Sequence, residues 1–260
     1  MRPLKVLLSK TELQNIYTNE YWNSIEEEKK KEWWIVDGNY EECIKSLHDN
    51  GSIKEFEMAR KESGLLDGKE GLKVLDVAAG VAWTSAVLTN QKNIAEVHAI
   101  EISKHRIGEL TEHAFKMFPS DDSKFFRYLG SFYDNKQPDD YFDYIIISKA
   151  FHHANQPLHL LLECDRVLKN GGKIIIVGEH PASYWMIFKK FLSLIIKKRR
   201  FSTNFYEFMT PNRILGDHFF RVSDYHFMFN SMGYSLTKTD LPEFGNVYFI
   251  GTKHSELGKL

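Results

Sequence analysis

Residues 73–85 read Lys-Val-Leu-Asp-Val-Ala-Ala-Gly-Val-Ala-Trp-Thr-Ser, and the fold is decided here. The first five form a short apolar run, the pattern of a strand buried on both faces. Ala78, Ala79 and Gly80 are small residues at the point where that strand has to turn, and residues 83–88 then take helical spacing. A buried strand, a turn of small residues and a helix make the first half of a parallel β-α unit.

Working outward, the same alternation repeats. Residues 96–102 (EVHAIEI) read as a second strand and 104–117 as a helix with apolar residues near 3.6 spacing. Residues 125–129 and 142–148 (FDYIIIS) give a third and a fourth strand. Residues 157–168 give a helix stopped by Asn170-Gly171-Gly172, and 173–177 (KIIIV) a fifth strand. The pattern is then interrupted over residues 181 to about 221. It resumes with a helix at 223–232, ended by Gly233, and two alternating strands at 234–239 and 247–252. The expected fold is α/β: a Rossmann-like, seven-stranded, mostly parallel sheet with helices on both faces. Residues 1–70 are charge-dense and aromatic, with the run Glu26-Glu27-Glu28-Lys29-Lys30-Lys31 and the rings of Tyr17, Tyr21, Trp22, Trp33, Trp34 and Tyr40. They predict an N-terminal helical lid over a main domain at 71–260, with the insertion lying after strand 5.

Composition narrows the function. The chain has 260 residues, 34 Lys and Arg against 35 Asp and Glu, a formal net charge of −1, and two cysteines. Disorder, collagen and a disulfide scaffold are excluded, and no chain-wide positive field invites nucleic acid. Cys43 and Cys164 suit a reducing cytoplasm. Residues 1–9 lack the length of a signal sequence, and no stretch has the apolar length of a membrane span. The 11 His and two distant Cys show no metal-ligand spacing, so no metal is expected.

In doubly wound sheets ligands sit beyond the carboxyl ends of the strands, beside the first one. The 76–82 loop lies there, and Glu101 closes the second strand, where a carboxylate can accept ribose hydroxyls. A dinucleotide site wants G-x-G-x-x-G to cradle a pyrophosphate, and here only Gly80 is present. Asp76 inside the strand end suits a cationic, amino-acid-bearing ligand, which points to S-adenosyl-L-methionine.

These residues carry a resemblance. The segment 73–178 resembles a class I S-adenosylmethionine-dependent methyltransferase of the small-molecule, UbiE-like (methyltransferase type 11) group. KVLDVAAGVAWTS corresponds to its first motif, HAIEIS to the ribose-binding strand, YFDYIIISKAFHHANQP to the fourth-strand motif and RVLKNGGKIIIVGE to the fifth. Where the family has Gly-x-Gly-x-Gly, this chain has Ala78, Gly80 and Ala82; alanine admits close approach provided φ stays negative. The resemblance implies that Asp76, Ala78, Ala79 and Gly80 line the methionine part and Glu101 the ribose. Ile102 then packs on the adenine, Ser131 and Phe132 meet its edge, and Ser148 to Phe151 close over the methionine end.

Methyl transfer needs alignment and, for a weakly acidic nucleophile, a general base. His152 and His153 follow the fourth strand, and His180 follows the fifth; these are the candidate bases. The acceptor expected is a small or lipid-linked molecule, with a sugar of a cell-surface glycan among the candidates. A cofactor-free binding module of the same fold, and an oxidoreductase using NAD or a nucleotide sugar, are the alternatives. The segment 184–201 is apolar and basic, with six Lys or Arg and no acid. It predicts a cap helix that could also dock on a membrane surface, placing the protein in the cytoplasm or at that surface.

Overall fold

A computed structural model describes residues 1–18, 39–67, 69–198 and 218–254. Within them one sheet of eight strands runs in the order β1-β4-β3-β2-β5-β6-β8-β7. Its strands are β1 (Lys5–Val6), β2 (Leu72–Val77), β3 (Ile94–Glu101), β4 (Phe125–Leu129), β5 (Phe142–Ser148), β6 (Leu168–Glu179), β7 (Tyr234–Leu241) and β8 (Asn246–Lys253). β1 to β6 pair in parallel, whereas β8 is antiparallel to both β6 and β7. The helices are α1 (Lys10–Thr18), α2 (Tyr40–Asp49), α3 (Ser52–Glu62), α4 (Trp83–Thr89), α5 (Thr111–Met117), α6 (Pro157–Val167), α7 (Tyr184–Lys198) and α8 (Val222–Ser231).

The period of two along the central strands builds two cores. Leu75, Val77, Ile145, Ile147, Ile174 and Ile176 pack on one face of the sheet. Val74, Val97, Ala99, Ile146, Ile175 and Val177 pack on the other. Uninterrupted apolar runs are therefore required, because a polar side chain on either face would be buried among hydrocarbon.

The strand count is one more than the sequence predicts. Lys5 and Val6 pair with Tyr128 and Leu129, and Leu7 N–H continues the ladder to the Leu129 carbonyl at 2.9 Å. Two residues are too few to show alternation, so this edge strand leaves no periodic signal. The zone before residue 70 thus supplies a strand as well as helices. The helix expected at 104–117 is a π-helical turn, Arg106–Leu110, running into α5. Thr111 Oγ1 donates to the carbonyls of Arg106 and Ile107 at 3.1 and 3.0 Å, which helps hold the widened turn. The Asn170-Gly171-Gly172 turn lies inside β6, where the pairing with β5 shifts register. The charge run at 26–31 and the rings of Tyr21, Trp22, Trp33 and Trp34 lie outside the described residues, as does most of the insertion.

Candidate functional site

β2 ends at Val77 beside β3 and β5, so the chain must turn sharply to enter α4. Three residues do this in the left-handed region: Ala78 at φ +52°, Gly80 at +56° and Ala82 at +62°. The condition of negative φ, under which alanine would admit close approach, is not met at either alanine. Their backbones take the glycine-type conformation, at a cost of about 1 kcal/mol or more each. A Cβ on Gly80 would meet only Arg106 Nη1, at 3.9 Å, so the space in front of it is open.

The turn is held from the next strand. Glu101 Oε2 accepts from Gly80 N–H at 2.8 Å, and Oε1 accepts from Ile102 and Ser103 N–H at 2.9 and 2.8 Å. A carboxylate has about four acceptor positions. Three are taken by main chain, leaving a position on Oε2 for a ligand hydroxyl.

Asp76 behaves otherwise. Its Oδ2 accepts from the hydroxyls of Thr84 and Ser85, both at 2.6 Å, and it is fully buried. Burial, with Glu101 adding like charge, raises its pKa to about 6 against those hydrogen bonds. Asp76 therefore anchors the start of α4 and does not line the cavity, which corrects its assignment to the methionine part.

In front of this turn lies a cavity of about 500 Å³. Of the residues singled out in the sequence, Ala78, Ala79, Gly80, Glu101, Ile102, Phe132, Ser148 and His153 line it. Five do not. Besides Asp76, Ser131 turns its hydroxyl to Tyr133 N–H at 3.1 Å. Phe151 is completely buried against Phe220, Tyr225 and Phe229. His152 is tied by Nδ1 to Glu179 at 3.0 Å, and His180 is exposed away from the cavity. Glu179, not His180, turns inward: it also accepts from Phe151 N–H at 3.1 Å and from the Tyr225 hydroxyl at 2.7 Å.

Sequence reasoning missed the roof. Glu42, Cys43, Ser46, Leu47 and Asn50 line the cavity from α2 and its C-cap, with Arg106 and Lys149 completing the wall. Their spacing along α2 follows one helical face, the one signal that could have found them. Among the described residues no group of His, Cys, Asp and Glu is arranged to hold a metal.

With the geometry in place, the comparisons take on meaning. Residues 75–176 match the family described as "Methyltransferase domain". The demethylmenaquinone methyltransferase of Bacillus velezensis is 28% identical over 147 residues, covering 54% of this chain and 61% of that relative's length. Its Bacillus subtilis counterpart is 25% identical over 166 residues, covering 59% and 70%. A crystal structure of a SAM-dependent methyltransferase from Aquifex aeolicus shares the fold at a TM-score of 0.56 and 18% identity, over 81% of this chain and 97% of that one. Residues 75–176 thus carry the similarity to a methyltransferase domain, and the chain spans 61% of the Bacillus velezensis relative's length. The site fits S-adenosyl-L-methionine as cofactor: open space before Gly80, an acceptor position on Glu101, and Ile102 and Phe132 as apolar walls.

The strained turn is testable by itself. Ala78→Gly should raise stability by roughly 0.5–1 kcal/mol, since relief of a left-handed alanine exceeds the added chain entropy. Ala78→Val should lower it by about 2 kcal/mol or more. Urea midpoints decide the matter; a glycine variant less stable than the parent would mean the turn is not under strain.

Proposed function

We propose that this chain transfers the methyl group of S-adenosyl-L-methionine to an oxygen or nitrogen atom of a small or lipid-linked molecule. The observation that carries the reading is the Gly80–Glu101 hydrogen bond at the rim of the 500 Å³ cavity. It joins a glycine that leaves space for an amino-acid moiety to an acid that can take a ribose hydroxyl. An NAD-linked oxidoreductase is disfavoured because Gly80 stands without the partner glycines that let amides cradle a pyrophosphate. A cofactor-free module is disfavoured by the open cavity itself.

When bound, the cofactor supplies a methyl group on a sulfonium, a leaving group that needs no acid. The protein's work is placement and proton removal. Ile102 and Phe132 would flank the adenine, and Glu101 would fix the ribose. His153 is in reach of the acceptor side and would hold the proton released by the nucleophile. His152, through Nδ1 on Glu179, would position the segment that carries His153, against which its ring packs at 4.2 Å between centroids. The Bacillus relatives are named for demethylmenaquinone, which supports a lipid-linked acceptor; a glycan sugar is the other class.

Calorimetry separates the readings. S-adenosylmethionine and S-adenosylhomocysteine should both give binding heat and NAD none. Glu101→Ala should weaken the cofactor by about 2 kcal/mol, and Glu101→Gln, which keeps the shape, by less. NAD binding in place of the other two would defeat the proposal.

Turnover tests the histidines. His153→Ala should lower the methylation rate by about 10²-fold or more with cofactor affinity unchanged, the signature of a lost base. His152→Ala should cost less. Normal turnover in both variants would mean that proximity alone suffices.

A lipid-linked acceptor also calls for access to a membrane. Trp185, Phe188, Leu192 and Ile196 on α7 are exposed, Ile196 to 74%, and Lys189 lies over the Trp185 ring. Exposed aromatic surface with a basic edge is what interfacial docking uses. No described helix is long and apolar enough to cross a membrane. The protein should co-sediment with anionic vesicles and not with neutral ones, and Trp185→Asp with Phe188→Asp should abolish this. Absence of sedimentation at low salt would leave α7 as a cap alone.

A further inference from the structure

Lys149 and Arg106 are the Lys and Arg residues that line the cavity among the described residues, and Lys149, within the fourth-strand motif, has so far been given no role of its own. We infer that Lys149 selects the acceptor: its ammonium receives an ionised oxygen, so the site takes an acidic hydroxyl, phenolic or enolic, in preference to an amine. The inference rests on the methyl-transfer reading and adds the substrate class to it.

The position is built. Lys149 follows β5 directly and holds φ +52°, a strained conformation for a side chain of this size. Its N–H donates to the Val177 carbonyl at 2.8 Å, docking it on the end of β6. Its stem lies over Gly178, where a Cβ would sit 2.3 Å from Lys149 Cγ. Glycine at 178 is therefore the condition for seating this lysine. Strain of this kind persists where surrounding structure over-determines it, and it concentrates at sites of function.

The electrostatics point the same way. Glu55, on α3, is buried and accepts from Gly178 N–H at 2.6 Å and Asn246 Nδ2 at 3.0 Å. Burial lowers the Lys149 pKa, and the Glu55 carboxylate works against that shift. The charged group that acts on Lys149 from within the protein is Glu55. Glu42 and His153 share the cavity wall, while Arg106 stands at the opposite end beside Gly80. A recessed ammonium gains most from an anion that arrives with the ligand.

The chemistry balances. Beside the ammonium the acceptor hydroxyl loses its proton to His153 or solvent, since an opposite charge favours the ionised form. The oxygen then forms the new bond to the methyl carbon as the carbon–sulfur bond breaks, and the sulfur keeps that electron pair. A neutral amine brings no negative charge for the ammonium to receive at the same point.

The test uses the full chain saturated with S-adenosylhomocysteine and two probes of equal shape, 4-nitrophenol and 4-nitroaniline. The loaded protein should bind the phenol about 10-fold or more tightly than the aniline, and the phenolate absorbance should appear about one pH unit lower when bound. Lys149→Met, compared with the parent at S-adenosylhomocysteine saturation, should erase both effects, and a cooperative thermal unfolding transition reports a folded variant. Lys149→Arg should restore part of the preference. A preference absent from the parent, or surviving in Lys149→Met, overturns the inference while methyl transfer stands. Failure to bind S-adenosylhomocysteine at all overturns both.

Discussion

The carboxylate of Glu101 is the contact on which the rest of the site depends. By accepting from Gly80, Ile102 and Ser103 it satisfies main-chain donors at the ends of two neighbouring strands at once. Without it those amides, in a partly desolvated rim, would each cost about 1–3 kcal/mol. The bond to Gly80 makes the turn after β2 and the turn after β3 one unit. That explains how two alanines can be held in the left-handed region, since their cost is offset by contacts that no other backbone path would make. The shape of the cavity follows from this closure rather than from any single lining side chain.

The far end of the cavity is organised by two further buried carboxylates. Glu55 and Glu179 each gather groups from distant parts of the chain: α3, β6 and β8 in the first case, β6, the segment after β5 and α8 in the second. Burial raises the Glu55 pKa to about 7, so its charge responds to neighbours near neutral pH. Both acids sit where β5 and β6 end, so the zones before and after the central β-α units are tied into the site. A buried polar group left half satisfied would be costly, and this arrangement binds the outer zones to the core through that penalty.

Much of this architecture was legible. Apolar runs such as those at 142–148 and 173–177 admit one reading, because both faces of the strand are covered. What could not be read is which side of a loop each side chain faces. Asp76 and Glu101 both stand near strand ends. Asp76, however, is in register with Ala99 and Ile146 inside the sheet, whereas Glu101 pairs with Leu129 past the last pairing with β2. One acid therefore meets the start of α4 and the other the loop amides. Neighbours also part company at His152 and His153, in a 3₁₀ turn, and at Glu179 and His180, where β6 ends. Adjacent residues in such loops differ completely in environment, and sequence spacing does not record the turn between them. The two-residue β1 and the cavity face of α2 were missed for a different reason: they acquire meaning only through partners outside the local sequence window, Tyr128 and Leu129 for β1 and the loop from Ala78 onward for α2.

The two ends of the cavity thus answer to different physical demands. At the Gly80 end recognition is by main chain and one acid, so the requirement is on backbone conformation, and alanine can stand in for glycine when neighbours enforce the turn. On the Lys149 side the wall is made of side chains, with His153 and Lys149 from the segment after β5 and the roof from α2. Among the described residues the Glu101 hydrogen bonds run to Gly80, Ile102 and Ser103 and not to α2 or Lys149, so a change in either alters charge and shape while leaving those bonds in place. Such a division lets one fold keep a cofactor site while its acceptor pocket varies.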